Sequence, residues 1–95
     1  MPQTTPKHLD LTIRATNGAG WEHRFKPDDT VDEVIDRAVR HFVAKKIMAP
    51  GEYDLALIAD GVAQPPLNPS DRLRDTAVRD ESVLVLVNRQ PQVDG

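Results

Sequence analysis

Thr30-Val31-Asp32-Glu33-Val34-Ile35-Asp36-Arg37-Ala38-Val39-Arg40-His41-Phe42-Val43-Ala44-Lys45-Lys46 is the stretch whose reading decides the fold of this 95-residue chain. Val31, Val34, Ile35, Ala38, Val39 and Phe42 recur at helical intervals and line up as one apolar stripe. Asp32, Glu33, Asp36, Arg37 and Arg40 take the other side. Thr30 and Glu33 have the spacing of a capping box. Asp32 and Asp36 lie toward the start while Arg40, Lys45 and Lys46 lie toward the end, which suits the helix dipole. Pro50-Gly51 bars continuation. The spacing predicts one amphipathic helix over 30–46, and its stripe must be buried against another element.

Upstream, Leu9, Leu11, Ile13 and Ala15 alternate with Asp10, Thr12 and Arg14, the period of a half-buried strand. Asn17-Gly18-Ala19-Gly20 is a turn signal, because Gly and Asn accept positive φ. Trp21, His23 and Phe25 form a second alternating run that Pro27 closes. The pair reads as a β-hairpin. Downstream, 53–59 is strand-like and Asp60-Gly61 marks its turn. Residues 64–70 carry three prolines and read as irregular, and 71–77 has room for a single helical turn. Residues 82–87 are almost wholly aliphatic, as in a strand covered on one or both faces.

These elements bound the architecture. The order is hairpin, helix, strand, irregular crossing and final strand, so the helix stripe has only the sheet to pack on. Laying the helix across a mixed sheet, with the final strand beside the first, gives an α+β, β-grasp arrangement of four to five strands on one main helix. A ferredoxin-like sandwich needs a second full helix, and 71–77 is too short for one. The domain is expected over 8–89, between a flexible leader at 1–7 and a flexible tail at 90–95.

Composition excludes several classes of function. Aromatics are only 4% of residues, so the core has to be aliphatic. Twelve Lys and Arg are scattered among fifteen acids, for a net charge of −3, without the concentrated basic patch that nucleic acid requires. The absence of Cys excludes disulfides and thiol chemistry and accords with a cytoplasmic location. No apolar stretch is long enough for a membrane span. His8, His23 and His41 lack ligand-like spacing and read as surface or rim residues. Asp28-Asp29 and Asp32-Glu33 are explained by helix capping, not as a paired-carboxylate site. Ser70 and Ser82 have no base to activate them. No catalytic residue, metal site or bound cofactor is expected, and the chain reads as a non-enzyme. A monomer is the default, although a free sheet edge could pair with a neighbour.

A family resemblance appears at two places. Leu73-Arg74-Asp75-Thr76-Ala77-Val78-Arg79-Asp80-Glu81-Ser82-Val83-Leu84-Val85-Leu86-Val87 resembles the last third of ubiquitin, where an apolar-anchored turn precedes Glu-Ser and an alternating aliphatic strand. Lys26-Pro27-Asp28-Asp29-Thr30-Val31 resembles the Pro-x-Asp-Thr-Ile lead-in to ubiquitin's helix. The likeness spans about 9–89, with irregular spacing around 44–53. It specifies fold more than function, because ubiquitin-like folds serve as tags, sulfur carriers and docking modules.

The resemblance implies a sidedness. If Leu84, Leu86, Leu55 and Leu57 point at the helix, then Ala56, Ile58, Val85 and Val87 face away and form an aliphatic patch on the open sheet face. In ubiquitin-like modifiers that face meets activating enzymes and readers, and an exposed apolar patch marks a contact site. The competing reading has the leader or tail folding over it, or self-association. The tail implies a second site. Gly95 would be the conjugation terminus, since a residue without a side chain can enter a narrow adenylating site. Arg89 matches a basic tail residue that helps choose the activating enzyme, and Asp94 flanks the terminus. One glycine in place of a Gly-Gly pair departs from the family pattern, as does Pro91.

The implied function is a protein modifier. An E1-like enzyme using ATP would adenylate Gly95, an E2-like enzyme would carry it to target proteins, and a deconjugating peptidase could reverse the step. A composition rich in Asp, Arg, Val and Ala and poor in Lys looks bacterial, which suits bacterial conjugation operons, some linked to phage defence. The first alternative is a non-conjugated binding module, such as the ubiquitin-like components of bacterial secretion systems. The second is a sulfur carrier, which carries a Gly-Gly terminus that this chain lacks.

Overall fold

The computed structural model describes residues 8–88. The leader and tail expected from the sequence, with Arg89, Asp94 and Gly95, lie outside the described residues. The elements are β1 (Leu9–Arg14), β2 (Gly20–Phe25), α1 (Val31–Ala44), β3 (Tyr53–Ala59), β4 (Val62–Ala63), a 3-10 turn (Leu73–Asp75) and β5 (Val83–Asn88). The sheet order is β2-β1-β5-β3-β4. β5 runs parallel to β1 and antiparallel to β3, so the final strand inserts beside the first as expected.

α1 begins where its caps dictate. The Thr30 hydroxyl accepts from Glu33 N at 3.2 Å. Val31 N donates to the Asp71 carbonyl at 2.8 Å and Asp32 N to the Pro69 carbonyl at 3.0 Å. The proline-rich crossing thus satisfies amides that have no partner within the helix. Leu73 N and Arg74 N return bonds to the Asp29 and Pro27 carbonyls, and Arg74 pairs with Asp28. This clasp fixes the angle at which the helix enters.

The helix ends at Ala44, two residues before the sequence expectation of Lys46, because the chain turns there in a Schellman motif. Ile47 N donates to the Phe42 carbonyl at 2.8 Å and Lys46 N to that of Val43 at 3.0 Å. Lys46 holds φ +60, a left-handed conformation that glycine adopts without penalty. Lys46→Gly should therefore raise stability by up to about 1 kcal/mol, read as a higher denaturant midpoint at unchanged m-value.

The sequence reading had no strand after Asp60-Gly61. Asp60 (φ +53) and Gly61 (φ +77) are both left-handed, as a two-residue hairpin turn of the primed kind requires. They turn the chain back so that Val62 and Ala63 pair with Ala59 and Ile58. Gln64 N and Leu67 N then bond the Leu57 and Leu55 carbonyls, covering the rest of that edge.

One face of the sheet buries Leu9, Leu11, Ile13, Phe25, Leu55, Leu84 and Leu86 against Val31, Val34, Ile35, Ala38 and Phe42 of α1. Leu73 and Val78 close the core from the crossing.

Candidate functional site

The opposite face of the sheet carries the residues singled out by sequence. In this register Ala56 stands opposite Val85, Ile58 opposite Val83 and Asp54 opposite Val87. Thr12 and Arg14 of β1 adjoin Val83 and Val85, and Ala63 of β4 adjoins Ile58. Directly opposed residues share a face, so these side chains all project away from α1. Leu84, Leu86 and Leu55 are buried on the core side, so the two sides of the sheet divide as the alternation requires.

Surface exposure across the four patch residues is uneven. Val87 is 40% exposed, while Ile58 and Val85 are half-buried. Ala56 faces outward but is only 1% exposed, so it offers almost no surface. Its side chain is a single methyl, lying between β5 on one side and the 64–67 segment on the other. The outward apolar strip is therefore Ile58, Val85 and Val87, with Val83 and Ala63 added by the pairing. Val83 joins them because it stands opposite Ile58. Ala63 was missed because its strand was not foreseen.

The outer face is chemically split. β3, β4 and β5 make its mainly apolar half, with Asp54 beside Val87. β1 and β2 make a charged half from Asp10, Arg14, Glu22 and Arg24, with Arg24 Nε bonded to Asp10 Oδ1 at 3.0 Å. Both partners of that bridge are largely solvated, so it contributes little to stability.

On the core side of the β2 edge the structure assembles a cluster that sequence did not foresee. The Trp21 indole stacks between the imidazoles of His23 and His41, with centroids 4.6 and 4.5 Å away. Phe25 and Phe42 meet it edge-on at 6.1 and 6.4 Å. The signal was the alternation Trp21, His23, Phe25 together with adjacent His41 and Phe42 in the last helical turn. Trp21 is thus a half-buried sheet-edge packing residue.

An open hollow between α1 and β3 is lined by Asp32, Glu33, Asp36, Arg37, Glu52 and Tyr53. Among the described residues, no three His, Asp or Glu side chains are grouped so as to hold a metal ion. No described helix is long and apolar enough to cross a membrane.

A helix laid across a mixed sheet, with the first and last strands parallel at its centre, makes this a protein of ubiquitin-like β-grasp fold. A designed protein based on ubiquitin superposes with a TM-score of 0.70 at 22% identity, covering 93% of this chain and 96% of that one. Ubiquitin from Caldiarchaeum subterraneum matches with a TM-score of 0.58 at 26% identity, over 93% of this chain and 99% of that one. A chain of the ESX-5 inner membrane complex matches with a TM-score of 0.60 at 19% identity, over 95% of this chain but 24% of that one. No protein-family model and no curated protein matches the sequence.

Proposed function

We propose that the chain is a ubiquitin-like protein modifier, joined to targets through the Gly95 carboxylate after adenylation by an E1-like enzyme and transfer through an E2-like one. The observation that carries this reading is the strand β5. Its outward side chains Val83, Val85 and Val87 supply most of the apolar strip, and Arg89, Asp94 and Gly95 follow it in the sequence. One strand would thus present a reader surface and a reactive end to the same enzyme. The likeness to an archaeal ubiquitin over nearly its whole length supports the reading. A bacterial conjugation operon with an antiphage role and a cytoplasmic setting is the context we propose. The activating enzyme would use the ATP, and the chain itself would perform no catalysis.

A second reading, a docking module of a larger assembly, is favoured by the match to the ESX-5 chain, which spans 24% of a longer polypeptide. The two are separated by co-expression with genomic neighbours, comparing the intact chain with one lacking Asp94 and Gly95 by mass spectrometry. A modifier gives covalent adducts with a branched peptide only when the terminus is intact. A docking module gives none, and its partner binding survives the deletion.

A further inference from the structure

β2 is an outer strand of the sheet, six residues long, whereas β4 at the other edge has two. Its hydrogen-bonding parity follows from the hairpin. Ala15 N donates to the Ala19 carbonyl at 2.7 Å while the Ala15 carbonyl accepts from Gly18 N at 2.9 Å, so Ala15 and Ala19 stand at a hydrogen-bonding position of the ladder. Counting by twos along the register, Ile13–Trp21, Leu11–His23 and Leu9–Phe25 are the hydrogen-bonded pairs between β1 and β2. The N–H and C=O groups of Gly20, Glu22 and Arg24 therefore point outward, and among the described residues no strand pairs with them.

We propose that this edge pairs antiparallel with the same edge of a second copy, joining two five-stranded sheets about a two-fold axis through His23. Two outward-pointing residues must oppose each other to exchange hydrogen bonds, which leaves few symmetric registers. With Glu22 opposite its own copy, two carboxylates face each other. With Arg24 opposite its own copy, two guanidiniums do. The register centred on His23 sets Glu22 of each copy opposite Arg24 of the other, twice by symmetry, in hydrogen-bonded pairs. It also sets Trp21 opposite Phe25 on the helix side. Edge charges usually discourage pairing, but here their order makes the strand complementary to itself, as an isologous contact demands. Arg24 already bonds Asp10 through Nε, and its terminal nitrogens remain to meet the second carboxylate.

The test is sedimentation equilibrium up to about 1 mM protein at low and high salt, with hydrogen exchange followed amide by amide. The expected result is a weak dimer that dissociates with salt, in which the Glu22 and Arg24 amides slow about tenfold or more while those of Trp21 and His23 are protected at every concentration. Glu22→Arg and Arg24→Glu should each be folded and monomeric, because each sets like charges opposite one another. Mixed together, the two variants should associate, since each supplies the charge the other lacks. A wild-type monomer throughout overturns the proposal and leaves the edge to an extended segment of another protein. So does a dimer with unchanged exchange at Glu22 and Arg24, or a variant mixture that stays monomeric.

Discussion

Phe42→Ala should lower the unfolding free energy by about 3–5 kcal/mol, the cost of emptying a fully enclosed aromatic site. Phe42 is 0% exposed, and its ring meets Trp21 and His41 edge-on. Its carbonyl also accepts the bond that ends the helix, so the residue lies where α1, the β2 edge and the 45–48 turn meet. A domain of this size has a total stability of about 5–15 kcal/mol. The variant therefore loses a large share of it, and denaturant unfolding followed by Trp21 fluorescence should show a much lower midpoint. A loss below about 1 kcal/mol would mean that the ring is not enclosed as described.

Leu86→Ala and Val87→Ala form the second test, since the two neighbours on β5 face opposite ways. Leu86 is 1% exposed and packs in the core, and its truncation should cost about 2–5 kcal/mol. Val87 is 40% exposed, and its truncation should change stability by no more than about 0.5 kcal/mol. Under the modifier reading the second substitution should instead weaken partner binding. Equal losses of stability from both would remove the distinction between core and contact face on which the site rests.

Much of this fold was legible in local pattern. The period of Val31, Val34, Ile35, Ala38 and Phe42 located the helix and its buried face, alternation located β1 and β2, and an aliphatic run located β5. What was not legible depended on partners distant in sequence. Lys46 reads as a helix former by propensity, but its own amide bonds the Val43 carbonyl and that of Ile47 bonds Phe42, which places it beyond the helix end. Val62 and Ala63 are too few to show a period, and only pairing to β3 makes them a strand. Ala56 was correctly placed on the outer face by alternation. Alternation assigns a face but not an exposure, and at 1% exposed Ala56 offers almost no surface there. The Trp21 stack needed the helix axis to be set before His41 could be brought over the hairpin.

The parallel placement of β1 beside β5 has a mechanical consequence. The chain enters the start of β1 and leaves from the end of β5, at opposite ends of the central ladder. Tension applied through the two ends of the domain would load the bonds between 12–14 and 83–85 sideways and all together, not one after another as in an opening zipper.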